Sequence, residues 1–297
     1  MSGSMVHPYI LLNYQDDLDG MFTLAHELGH AVHSYLSNKT QPTVYRDYVI
    51  FVAEVASTCN EALLMEHLLK NTTDKHRRAW LINHFLEQFK GTLYRQTMFA
   101  EFELRMGELS AQGETLTADL LSREYRALNE AYFGPDMVSD DQIALEWSRI
   151  PHFYYNYYVF QYATGFSAAV AIANRILKEG TPAVADYKRF LSGGSSTDPI
   201  SLLKIAGVDM STPAPVNDAL ALFGGIDIKL PDNVNVETSS LPIFGGTGDL
   251  TFRKLLPALY TMSRTRKLSA RSKILLIGRR DYDTASYTAL ARDWIRR

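Results

Sequence analysis

Through most of the first 230 positions, apolar residues recur at three- and four-residue intervals, the period of helices with one buried face. The spacing and its turn signals predict helices over about Asp19 to Leu36, Ile50 to Lys70, Asp74 to Ser110 and Thr117 to Phe133. Further helices are expected at Asp140 to Glu146, Phe153 to Lys178, Pro182 to Leu191, Pro199 to Ala206 and Val216 to Phe223. Thr40 to Asp47 reads as a polar connection and Gly134-Pro135-Asp136 as a turn. Ser192-Gly193-Gly194-Ser195-Ser196 reads as a flexible loop exposing backbone amides.

The pattern breaks at KLPDNVNVETSS, residues 229–240, a polar irregular stretch with the composition of a linker. Beyond it come Ile243-Phe244, a glycine turn, a helix from about Leu250 to Met262, the apolar run Ile274 to Ile277 and a helix near Thr284 to Ile295. That order is strand, helix, strand, helix. The expected organisation is a helical region over 1–228, a linker over 229–240 and a short βαβα fragment over 241–297, with no internal repeat.

Charge separates the same two pieces. The net charge is only -3, yet 12 of the 30 Lys and Arg but just 4 of the 33 Asp and Glu fall from Leu241 onward. Those basic residues are scattered among apolar ones with no RNA-binding signature, so nucleic acid is not an expected partner. No stretch approaches the roughly 20 apolar residues of a membrane span, and the N-terminus has no basic region followed by an apolar run. Both features suggest a cytoplasmic protein without a membrane partner. The single cysteine, Cys59, lies in an apolar helical pattern and reads as a buried reduced thiol.

The candidate chemistry centres on His26-Glu27-Leu28-Gly29-His30. Histidines four apart on a helix leave the same face one turn apart and can converge on one zinc ion. Glu27, next to the first of them, is placed to reach the attacking water rather than the metal, as a general base must. Met21, Leu24, Ala25, Leu28, Ala31 and Val32 suggest apolar surroundings in which three ionisable side chains need a partner. Glu54, 24 residues past His30 in a mostly apolar helix, is the best third ligand. On spacing alone, an ion pair with Arg46 stands level with that reading. Glu61, seven residues on and on the same face, could orient a zinc-bound imidazole or be a surface acid.

His152 to Tyr162 packs five tyrosines and a histidine into eleven residues. Five phenolic hydroxyls cannot all be buried without partners, which points to a wet cleft wall. A tyrosine or histidine opposite the metal could donate to the developing oxyanion. His7, His33, His67, His76 and His84 lack ligand spacing and are expected at the surface or as satisfied core residues.

These residues, taken in order, resemble the M3 zinc peptidases, specifically the oligoendopeptidase F branch. The resemblance runs from about residue 7 or 8 to 207 or 209. It is carried by Pro8 to Tyr14, Phe22 to His30, Phe51 to Thr58, His152 to Gly165, Gly193-Gly194 and Asp198-Pro199-Ile200. It implies a mainly α, zincin-like helical metallopeptidase catalytic domain. His26, His30 and Glu54 would be ligands of one Zn2+, Glu27 the base, and His152, Tyr155 and Tyr158 would face the scissile carbonyl. Members of the family enclose a narrow channel that admits oligopeptides and excludes folded proteins. Here the chain starts about 25 residues before the zinc helix, so the catalytic domain is expected to be partial, without the helical N-terminal portion that builds the opposite wall.

Residues Ile243 to Leu250, Arg253 to Tyr260 and Ile277-Gly278-Arg279-Arg280-Asp281 are similar to the N-terminus of glucose-6-phosphate dehydrogenase. The resemblance implies an incomplete Rossmann-like α/β tail, with Gly245, Gly248 and Arg279 at the positions of NADP contacts. Pro242 removes a ladder donor, and the chain ends at Arg297 before any catalytic segment. The tail is therefore expected neither to catalyse dehydrogenation nor to bind NADP tightly, and the whole reads as a join of two gene fragments. The expected function is zinc-dependent cleavage of internal peptide bonds in oligopeptides. The alternatives are a non-catalytic zinc- and peptide-binding remnant and, more distantly, an NADP-binding dehydrogenase fragment.

Overall fold

A computed structural model of the chain describes residues 6–134 and 137–225, together with the backbone of 240–244 and 273–277. The chain separates into two compact units, Met1–Lys229 and Leu230–Arg297. Among the described residues of the first unit there are helices α1 (Leu18–Thr40), α2 (Ile50–Asn71), α3 (Lys75–Gln88), α4 (Arg95–Ala111) and α5 (Ala118–Phe133). They continue with α6 (Phe160–Glu179), α7 (Thr181–Leu191), α8 (Pro199–Ile205) and α9 (Ala214–Gly224). No helix among the described residues is long and apolar enough to cross a membrane.

α2 is the axis of the unit, packed against α1 and α6. Val52, Val55, Ala56 and Cys59 of α2 meet Ala168, Ala169, Ile172 and Ala173 of α6, and Phe190, Leu202 and Leu203 close the layer. The small side chains on both helices let their backbones approach, which fixes the start of α6 beside the first turns of α2. A second cluster gathers Phe22, Phe85, Phe89 and Phe166. A third gathers Phe99, Phe102, Tyr125, Ile150 and Val159.

Four sequence expectations change. The single helix expected over Asp74 to Ser110 contains a wider π-helical segment, Phe89–Tyr94. That segment turns the apolar stripe from the second cluster, which takes Phe85, Phe89 and Leu93, to the third, which takes Met98, Phe99 and Phe102. The helix expected over Asp140 to Glu146 is a 3-10 segment, Ile143–Arg149. Its Glu146 carboxylate is held by Arg95 (2.5 Å), by Tyr125 (2.7 Å) and by Arg149.

The helix expected from Phe153 is broken. A short 3-10 turn, Pro151–Tyr154, gives way to an irregular stretch in which Asn156 and Tyr157 both have φ of 58°, and α6 begins only at Phe160. Finally, Gly193 and Gly194 are buried rather than exposed. Four amides of that loop are already used: Ser192 donates to Lys188 O (3.1 Å), Gly193 to Phe190 O (3.0 Å), Ser195 to Tyr45 O (2.8 Å) and Ser196 to Gly193 O (3.1 Å).

In the second unit, β1 (Ser240–Phe244) pairs in parallel with β2 (Lys273–Ile277), with Pro242 opposite Leu275. Pro242 thus sits within a strand that has one neighbour among the described residues, where a missing N–H can face away from the ladder. The helices expected at Leu250 to Met262 and Thr284 to Ile295 lie outside the described residues, as do Gly245, Gly248 and Arg279.

Candidate metal centre

α1 begins where the Asp17 carboxylate accepts the Gly20 N–H at 2.8 Å, so the helix is set before the two histidines are reached. Gly29 is buried on the side facing α2. A Cβ at this position would lie 2.5 Å from Ser57 Cα and 2.6 Å from Ala56 O, so α1 touches the backbone of α2 directly. The Asn60 amide ties the pair together by donating to Ala25 O at 3.2 Å.

This close approach brings Glu54, in the second turn of α2, to the imidazoles of α1. Glu54 Oε2 lies 3.2 Å from His26 Nε2 and 3.5 Å from His30 Nε2, and the two Nε2 atoms are 3.2 Å apart. Donor atoms at about 2.0–2.1 Å from a tetrahedral zinc are separated by roughly 3.3 Å, so the three observed edges match one face of such a site. The three side chains are 27–31 % exposed, which leaves the outer side of the cluster open to solvent. Two imidazoles and one carboxylate with an open side are a group that could hold a metal ion, and the donor types are those a catalytic zinc takes.

Glu61 Oε1 lies 2.6 Å from His26 Nδ1, and the Gln88 amide donates to the other carboxylate oxygen. With Nδ1 donating to Glu61, Nε2 is the His26 nitrogen that faces Glu54 and His30. Burial disfavours charge on His26, but the Glu54 and Glu61 carboxylates outweigh it and raise its pKa to about 10. Hydrogen bonds from His26 and His30 hold the Glu54 carboxyl far below the usual carboxylate range. The cluster thus demands a positive charge.

Of the two readings of Glu54, the geometry supports the imidazole partners: Arg46 has Asp47 at 3.9 Å instead. The apolar surroundings expected for the histidine face need correction, because Leu24, Leu28 and Val32 are 36–44 % exposed and occupy another face of α1. Glu27 follows His26 on α1, rotated by about 100° toward that exposed face, and is half-buried.

The aromatic segment forms a cluster of its own. The His152 ring lies 5.7–5.9 Å, centroid to centroid, from Tyr155, Tyr158 and Tyr162, and the Tyr162 hydroxyl is 3.3 Å from His152 Nε2. Tyr155 is exposed and Tyr158 half-buried. Tyr162 belongs to the same aromatic cluster, beside His152 and Tyr158. Burial, then Tyr158, then the charge of Glu54 push its pKa up to about 12. One turn further along α6, Gly165 lies so close to α2 that an added Cβ would be 3.9 Å from Glu54 Cβ. Spacing did not single out Tyr162, because its role depends on the packing of α6 on α2.

Two of the remaining histidines depart from expectation. His33 is 1 % exposed, stacked on Tyr48 with centroids 3.6 Å apart, and its Nδ1 has no hydrogen-bond partner. Burial, helped by the nearby His30, lowers its pKa to about 3. His84 packs on Phe22 and likewise keeps Nε2 buried and unpartnered. His7, His67 and His76 are exposed. Cys59 is buried as expected, and burial pushes its thiol up to about 12.

Comparison with known proteins follows this division of the chain. Residues 2–222 match the sequence model of peptidase family M3. Over 217 residues the chain is 57 % identical to oligopeptidase PepF of Bacillus subtilis (strain 168), covering 73 % of this chain and 32 % of that protein. It is 47 % identical over 215 residues to the chromosomal oligoendopeptidase F of Lactococcus lactis subsp. cremoris, covering 72 % and 36 %. The crystal structure of oligoendopeptidase-F from Enterococcus faecium superposes with a TM-score of 0.63 at 49 % identity, over 70 % of this chain and 37 % of that one. The chain therefore spans about a third of the length of these relatives. Residues 242–297 match the NAD binding domain of glucose-6-phosphate dehydrogenase.

Proposed function

Because the chain belongs to peptidase family M3, we propose that its helical unit hydrolyses internal peptide bonds of oligopeptides, using one zinc ion held by His26, His30 and Glu54. The observation that carries this reading is the triangle of donor atoms, 3.2, 3.2 and 3.5 Å on its edges, on the open side of two packed helices. When bound, the ion supplies Lewis acidity that polarises the scissile carbonyl. Glu54 balances its charge, and Glu61 keeps the His26 ring in the tautomer that binds.

Glu27 takes the proton from the attacking water and passes it to the leaving amine, the task of a general base that then acts as acid. His152, Tyr155 and Tyr158 donate hydrogen bonds toward the oxygen on which negative charge develops. Tyr162 orients His152 through the contact of its hydroxyl with His152 Nε2. The tail has no part in this chemistry, and Gly245, Gly248 and Arg279 are assigned no NADP-binding role.

Zinc content measured together with cleavage of a quenched fluorescent oligopeptide tests the proposal. The wild-type chain should carry one zinc and cleave. Glu27→Ala should keep the zinc and lose about 10²–10⁴-fold in rate. Zinc retained by both proteins with cleavage by neither would replace the hydrolytic reading with a zinc- and peptide-binding one.

A further inference from the structure

Asn156 and Tyr157 are consecutive non-glycine residues in the left-handed region, both at φ of 58°. Asparagine tolerates this conformation, but a tyrosine beside it needs surroundings that hold it there. What holds it is α4. Glu103, 5 % exposed, accepts the Tyr157 N–H on Oε1 at 3.0 Å, and burial raises its pKa against the opposing pull of the Tyr157 and Val159 N–H groups. Oε2 of the same carboxylate is buried with no hydrogen-bond partner. One turn further along α4, Gly107 faces the Tyr157 hydroxyl, and an added Cβ would collide with the phenolic oxygen.

A buried carboxylate with one oxygen unpaired is a poor way to stabilise a fold. Its position explains it better. The turn that Glu103 holds lies within the segment whose side chains ring His152, and α6, which carries Tyr162 of that ring, packs so close to α2 that a Cβ at Gly165 would lie 3.9 Å from Glu54 Cβ. We propose that Glu103 and Gly107 are positioning residues. They clamp the left-handed turn at Asn156-Tyr157 and so hold Tyr155 and Tyr158 beside His152 just before α6, the helix that packs on α2 next to Glu54. The inference rests on the hydrolytic reading of that cluster, but its first readout is independent of hydrolysis.

The test is hydrogen exchange by mass spectrometry on the full chain with zinc added, comparing wild type, Glu103→Ala, Glu103→Gln and Gly107→Ala, with zinc content and Tm measured on each. Glu103→Ala should make residues 153–160 exchange about tenfold faster while zinc content is unchanged. Glu103→Gln should stay near wild type, because its amide oxygen still accepts the Tyr157 N–H. Gly107→Ala should loosen the same residues without lowering Tm, since alanine favours the interior of α4 over glycine. Peptide cleavage by the two loosened variants should fall in kcat, with KM and zinc content unchanged.

Exchange over 153–160 that is the same in Glu103→Ala and wild type would overturn the proposal. So would loosening that spreads equally through α4 and α6, because that would mark a general loss of stability. A wild-type chain that cleaves no peptide would count against the hydrolytic reading alone, and the exchange pattern would still decide whether the clamp exists.

Discussion

Glu61 Oε1 lies 2.6 Å from Nδ1 of His26, on the side of the ring opposite the nitrogen that meets Glu54 and His30. One carboxylate therefore sets the tautomer of an imidazole whose other nitrogen enters the metal cluster. Removing such a partner typically costs about 10–100-fold in metal affinity. Glu61→Ala should show a loss of that size in competition with a chromophoric chelator, with helicity intact. Unchanged affinity would reduce Glu61 to a packing residue.

Gly29 sets the distance between the two halves of the cluster. Gly29→Ala forces its Cβ against the backbone of Ser57 and Ala56, neither of which can rotate away. We expect destabilisation of about 1–3 kcal/mol from overpacking, seen in urea unfolding, together with loss of stoichiometric zinc as Glu54 is pushed from His26 and His30. A variant that binds zinc normally would show that the helices can part without opening the site.

Zinc uptake should be linked to protons. In the metal-free chain the Glu54 and Glu61 carboxylates raise the His26 pKa to about 10, so its proton is held at pH 7 and lost only as pH rises through about 10. A cation entering between the same groups must displace that proton. Zinc affinity should therefore climb with pH, by about tenfold per unit between 7 and 10, with about one proton released per zinc at pH 7. Calorimetry in buffers of different ionisation enthalpy measures the release, and none observed would contradict the assignment of His26.

His33 predicts an acid-side weakness in the fold. Burial lowers its pKa from 6.5 to about 3, so the unfolded chain takes up a proton below pH 6.5 that the folded chain refuses. Stability from this residue is complete above 6.5 and falls by about 1.4 kcal/mol per pH unit below it. His33→Phe keeps the stacking on Tyr48, removes the unpartnered Nδ1, and should flatten stability between pH 6.5 and 5 relative to wild type. Parallel slopes for the two proteins would contradict the account.

The site was only partly readable in the chain order. His26 and His30 were legible because a helix makes neighbours of residues four apart. Glu54 was legible as the best third ligand but on spacing alone stood level with an ion pair to Arg46, since 24 intervening residues say nothing about distance, and what closes the gap is the absence of a side chain at Gly29. The tyrosine segment was misread as helix because its aromatic spacing suits one. The left-handed turn depends on Glu103, which is 54 residues away in the chain. The apolar residues around His26 suggested a buried site, yet three of them lie on the exposed face of α1.

The central claim is that His26, His30 and Glu54 together bind one zinc ion. Anomalous diffraction at the zinc edge from crystals of the zinc-loaded chain tests it most directly. The account predicts a single strong peak at about 2.0–2.2 Å from Nε2 of His26, Nε2 of His30 and a carboxylate oxygen of Glu54, with the fourth side open. A peak bound elsewhere, or one that leaves Glu54 uncoordinated, would contradict it.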